Sequence, residues 1–113
     1  MLYTNLKHIE NNNDYANAIN KDDNAIIVCG NMAPESISTY RIAEELSPHY
    51  ANVNIYDMEY NHPDIIRQPE CLSEFDPTNI PYIAYYKEGK LLEITSGNHT
   101  KSQITASIQS KYE

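Results

Sequence analysis

Leu6 to Ile9 reads as a short edge strand. Asn11, Asn12 and Asn13 interrupt it and can cap a helix beginning near Asp14, with Tyr15, Ala18 and Ile19 on one face. After the polar turn Asn20 to Asn24 comes AIIVC, residues 25 to 29. This unbroken apolar run is short enough for a strand buried on both faces, so it is the central-strand candidate. Beyond GNMAP, the spacing of Ile37, Tyr40, Ala43, Leu46 and Tyr50 by threes and fours predicts a helix. Pro34 suits its first turn, where an amide hydrogen would lack a helical partner, and Pro48 should bend or end it. Val53, Ile55 and Tyr56 then resume an extended pattern. Strand, helix and strand in this order favour a right-handed crossover between parallel strands.

Residues 59 to 79 are rich in Pro, Asp, Glu and Asn, with a short helix expected around Glu70 to Phe75. From Pro81 the pattern sharpens. YIAYY, residues 82 to 86, is a strand, Lys87-Glu88-Gly89-Lys90 is a hairpin turn, and Leu91 to Thr95 returns antiparallel. Gly97 ends that strand before a last helix whose Ile104, Ile108 and Tyr112 can cover a sheet face. There is no internal repeat and no interdomain linker.

A chain of 113 residues supports one core: the surface scaling gives roughly 6,300 Å² folded against roughly 19,000 Å² open. The expectation is a single domain over residues 1 to 113. No run approaches the roughly 20 apolar residues that span a bilayer, and MLYTNLKHIENNN has no basic region followed by an apolar stretch. A cytoplasmic protein is expected. The 16 acidic and 8 basic residues give a formal charge of -8, spread evenly along the chain, which repels phosphate backbones and anionic membranes. The 10 tyrosines read as background composition, although Tyr82, Tyr85 and Tyr86 make the YIAYY strand a candidate homodimer face unless it is central and buried.

Cys29 and Cys71 are too few for a disulfide scaffold and lack metal-ligand spacing. Cys29 reads as a small hydrophobe on the central strand and Cys71 as an incidental thiol in a polar segment. His8, His49, His62 and His99 show no metal-binding spacing. Asp57, Glu59 and Asp64 are expected beyond a strand's C-terminal end, as a solvated acidic rim. GNMAPES has one glycine and no lysine, so it makes no phosphate loop, and Ser36 has no evident base to activate it.

The order of elements resembles thioredoxin. N-I-P-Y-I-A-Y-Y-K-E-G-K-L-L-E-I-T-S-G, residues 79 to 97, is similar to that family's G-I-P-T, strand, K-x-G turn, strand and glycine, with unchanged spacing. K-S-Q-I-T-A-S-I, residues 101 to 108, continues in step with the family's terminal helix. Ala25 to Ser36 sits where its central strand meets the active-site helix. The resemblance runs from about Leu6 to Tyr112, loosest from Met58 to Phe75. It implies an α/β thioredoxin-like fold: a central mixed sheet of four to five strands with helices on both faces.

Carried over residue by residue, the resemblance puts Ala33 and Ser36 on the family's two cysteines and Pro34 and Glu35 between them. Met32 stands for the preceding tryptophan, and Ile27 for an aspartate that many thioredoxins bury. Ile80-Pro81 falls on the peptide bond that is cis in the family. CxxC has become APES. Disulfide exchange needs a thiolate, which neither an alanine methyl nor a serine hydroxyl supplies. The expected function is a redox-inactive module that binds an extended peptide or a protein partner through Met32, Ala33, Pro34, Ile80 and Pro81, or serves structurally, with no cofactor or metal implied. The alternative is a thiol-disulfide oxidoreductase using a displaced cysteine, Cys29 or Cys71, possible redox residues that could also bridge to each other.

Overall fold

The computed structural model describes residues 4–21, 23–59, 80–97 and 99–113. The expected helix at Glu70 to Phe75, together with Cys71, His62 and Asp64, lies outside the described residues. Among the described residues there are five strands and three α-helices: β1 (Lys7–Ile9), α1 (Asn12–Lys21), β2 (Asn24–Gly30), α2 (Pro34–Leu46), β3 (Asn54–Glu59), β4 (Tyr82–Lys87), β5 (Lys90–Ser96) and α3 (Lys101–Tyr112). They form one sheet in the order β1-β3-β2-β4-β5. β1, β3 and β2 run parallel, and β4 and β5 join antiparallel.

β2 is the middle strand, as its apolar run requires. Ala25 to Gly30 are all buried, and alternate residues feed two cores. On one face Ile26, Val28, Ile55, Ile83 and Tyr85 pack under Tyr40, Ala43 and Leu46 of α2 and Ile104, Ile108 and Tyr112 of α3. On the other, Ala25, Ile27, Cys29, Met58, Tyr82 and Tyr86 pack with Tyr15 and Ala18 of α1. Each large side chain so buried contributes roughly 1.5–3 kcal/mol. Pro48 acts as expected: α2 gives way to a 3₁₀ turn at Ser47–His49. α1 begins two residues earlier than expected, because Asn11 provides a cap: its Oδ1 accepts the Asp14 N–H at 2.8 Å, and Asn12 and Asn13 are inside the helix.

The hairpin between β4 and β5 turns on Glu88 and Gly89, both at positive φ (52° and 80°), the two-residue turn that suits twisted strands. Opposite Tyr85 and Tyr86 the register slips, Tyr85 facing Glu93 and Tyr86 facing Leu91, so Leu92 is an extra residue. This bulge leaves Leu92 exposed and breaks the regular hydrogen-bonding edge of β5.

The tyrosines have structural work that composition alone conceals. The Tyr15 and Tyr86 hydroxyls meet at 2.6 Å with their rings edge to face, joining α1 to β4. Tyr112 donates to the Tyr86 carbonyl at 2.9 Å, joining α3 to the same strand. A ring supplies buried area while its hydroxyl finds a partner, which makes tyrosine an effective tie between layers. Tyr82, Tyr85 and Tyr86 are 5%, 0% and 2% exposed, so of the two readings of YIAYY the central, buried one holds: β4 is an interior strand.

Candidate functional site

The crossover from β2 into α2 is organised by Asn31. Its Oδ1 accepts the Ala33 N–H at 2.9 Å and the Ser36 hydroxyl at 3.0 Å, while the Ser36 Oγ accepts the Asn31 N–H at 3.2 Å. This closed loop fixes the first turn of α2 with Ala33 at its cap and Pro34 at its first position. Ser36 is buried and its proton is donated to Asn31, so its hydroxyl is a strut of the helix start. Gly30 completes the close approach. A Cβ there would lie 2.6 Å from Ser36 Oγ and 2.9 Å from the Tyr40 hydroxyl.

The same sheet end carries the proline loop. Cys29 of β2 lies opposite Tyr82 of β4 in antiparallel register, so the exit from β2 and the entry to β4 adjoin. The Ile80-Pro81 bond is cis, and the Pro81 carbonyl accepts the Gly97 N–H at 3.0 Å, tying the loop after β5 to it. Met32 is 49% exposed and Pro34 and Glu35 are exposed; Ala33 and Ile80 are half-buried and Pro81 is buried. The expected groove residues therefore lie on adjoining crossovers at one end of the sheet. Asn31 and Gly97, which organise those crossovers, carried no chemical signal in the sequence beyond an Asn two residues before a helix cap and a Gly after a strand.

Cys29 is fully buried between Met58 and Tyr82 in the middle of the sheet, four residues before Ala33. His49 is exposed on the 3₁₀ turn, and His99 is half-buried with its Nε2 2.8 Å from Thr95 Oγ1.

The acidic rim is corrected by the structure. Asp57 and Glu59 belong to β3, and Asp57 is 1% exposed. The Thr4 hydroxyl donates to Asp57 Oδ2, and His8 Nδ1 lies 2.7 Å from Oδ1 across the β1–β3 register, which places His8 opposite Asp57. Burial raises the Asp57 pKa from 3.8; Thr4 and His8 hold it down in part, and Glu10 adds to the rise. Asp57 shares the sheet face of Ile55 and Val28, beneath α2, whereas Ile27 lies on the opposite face. Tyr40 packs toward this acid from α2; burial first, then Cys29, Asp57 and Glu59, raise its pKa.

No family model and no curated protein matches this chain. Solved structures match in shape. A yeast structure described as the basis of thiol resolving in the mitochondrial 1-Cys peroxiredoxin via glutathione/thioredoxin systems superimposes with TM-score 0.76 at 18% identity, covering 97% of this chain and 99% of its own. Oxidised thioredoxin O2 from Arabidopsis thaliana gives 0.75 at 11% identity over 99% and 98%, and Plasmodium falciparum thioredoxin 0.76 at 15% over 94% and 99%. At such identities the likeness defines the fold. The chain is an α/β protein with a thioredoxin fold, its mixed sheet having five strands.

Proposed function

We propose that this chain is a redox-inactive thioredoxin-fold module of the cytoplasm that binds an extended segment of a partner protein across Met32, Ala33, Pro34, Ile80 and Pro81. APES stands where thioredoxins carry CxxC. The observation that carries the reading is the start of α2: Ala33 occupies the cap, and the Ser36 hydroxyl is tied to Asn31 on both sides. Among the described residues the helix tip thus holds no nucleophile, while exposed Met32 and the Ile80-Pro81 loop offer apolar surface to an extended chain. Burial of Cys29 supports the same reading, because a thiol with no solvent access in the middle of a sheet cannot meet a disulfide.

Insulin reduction in the presence of dithiothreitol, followed by chemical-shift mapping with display-selected peptides, tests this. The expected results are no rate above the blank and peptide shifts centred on Met32, Ala33 and Ile80, weakened by Met32→Lys. A rate that disappears in Cys29→Ser or Cys71→Ser would establish the oxidoreductase instead. Peptide shifts confined to other surfaces would remove the groove.

A further inference from the structure

A second recess, independent of the peptide groove, lies between β5 and α3. It measures about 390 Å³ and is lined by Tyr85, Thr95, Ser96, His99, Gln103, Ala106 and Ser107. That size falls within the range of small-ligand clefts. Two polar atoms of its lining, the Tyr85 hydroxyl and His99 Nδ1, are buried without a hydrogen-bond partner, and Tyr85 as a whole is 0% exposed. The Thr95 and Ser107 hydroxyls are near enough to the phenol to favour its ionised form, against a larger opposite effect of burial, yet neither bonds it in acceptable geometry. A buried polar group left unpaired is costly to a fold, and phenylalanine would fill the same space without that cost.

Among the described residues, the lining contains no charged side chain. Lys111, outside that lining, sits 4.9 Å from the centre of the Tyr85 ring and is paired with Glu93 at 3.2 Å, so its charge is already answered. Burial lowers the pKa of His99, against opposing carbonyls of Gly97 and Thr95, which favours the neutral imidazole. Its Nε2 is 2.8 Å from Thr95 Oγ1. Thr95 can donate or accept there, so Nδ1 is a donor in one tautomer and an acceptor in the other, and the Tyr85 hydroxyl can take either role. A ligand suited to both orphan atoms presents a donor and an acceptor together and carries no charge. A carboxylate offers acceptors only and an ammonium donors only, and either would be desolvated among neutral walls without a counter-charge.

We propose that this recess binds a small neutral molecule through an amide group, with the Tyr85 hydroxyl and His99 Nδ1 as its paired anchors. The test is a titration of the isotope-labelled full chain with nicotinamide, acetamide and nicotinate, read by chemical shifts of Thr95, Ser96, His99 and Ser107. At least one of the amides should saturate with a Kd on the order of 1 mM, as befits a fragment. Nicotinate should bind at least tenfold more weakly. Blocked asparagine, run in parallel, distinguishes an amide carried by a peptide from a free one by which binds more tightly. Tyr85→Phe should fold with stability equal to or above the parent and lose at least fivefold in amide affinity, and His99→Ala should lose as much. Absence of saturable shifts with every amide at 50 mM, an equal response to nicotinate, or unchanged affinity in a folded Tyr85→Phe protein would overturn the proposal.

Discussion

Gly30 is fixed by what stands over it. With Ser36 Oγ 2.6 Å and the Tyr40 hydroxyl 2.9 Å from where a Cβ would be, and with Ser36 held by Asn31, the neighbours have little room to yield. Gly30→Ala should therefore destabilise by about 1–3 kcal/mol, read from urea unfolding, the usual cost of overpacking a filled site. Asp57 is a residue-scale case of the opposite kind, a charge placed inside. Its pKa is raised in the fold above the ordinary 3.8, chiefly by burial, so the native state holds its proton more tightly than the unfolded chain. The neutral form then contributes stability that is complete below 3.8 and is lost as pH rises through the raised value. Asp57→Asn cannot titrate. Between pH 4 and pH 7 the unfolding free energy, read from urea unfolding, should move in the variant's favour relative to the parent. A gap that stays constant with pH would show that His8 and Thr4 fully offset the burial.

At the scale of elements, the starts of α2 and α3 use different chemistry. α3 opens on a reciprocal cap, the Thr100 hydroxyl accepting the Gln103 N–H at 3.1 Å and the Gln103 side chain accepting the Thr100 N–H at 2.8 Å. Thr100→Ala should cost about 1 kcal/mol in urea unfolding, and Thr100→Ser should restore most of it. α2 instead borrows its acceptor from Asn31, outside the helix. Asn31→Ala should cost about 1–2 kcal/mol and speed amide exchange in the first turn, whereas Asn31→Asp keeps the acceptor and should restore protection. Local elements such as the β4–β5 hairpin were legible in sequence, because Glu88-Gly89 between two apolar runs leaves few other readings. So was β2, whose AIIVC run suits a strand covered on both faces. β3 was legible only as far as Tyr56: Asp57 interrupts the apolar pattern, and the partners that make it a buried residue lie 53 and 49 positions away, at Thr4 and His8. Asn31 escaped notice for a related reason, since an asparagine in a turn looks alike whether it faces solvent or caps a helix.

On the scale of the whole molecule, charge sets the response to solution conditions. The described ion pairs include Lys101 with Glu45, about 60% exposed on both sides, and Lys111 with Glu93, whose acid is 46% exposed. Exposed pairs of this kind contribute about 0–1 kcal/mol and weaken with salt. Against them stands a net charge of -8 within extents of 33 × 30 × 26 Å. At 0.01 M ionic strength the screening length is about 30 Å, so almost every carboxylate acts on every other; at 0.15 M it is about 8 Å and only neighbours interact. The repulsion removed by salt is summed over many long separations, whereas the attraction removed is confined to a few pairs already weakened by water. Raising sodium chloride from roughly 10 mM to 150 mM should therefore raise the midpoint of urea unfolding, by an amount corresponding to on the order of 1 kcal/mol. Urea suits this measurement because guanidinium chloride is itself a salt and would screen the very repulsion under test. A midpoint that falls with sodium chloride would mean that local pairs outweigh the long-range field, and the even spread of acidic residues along the chain would then have no bearing on its stability.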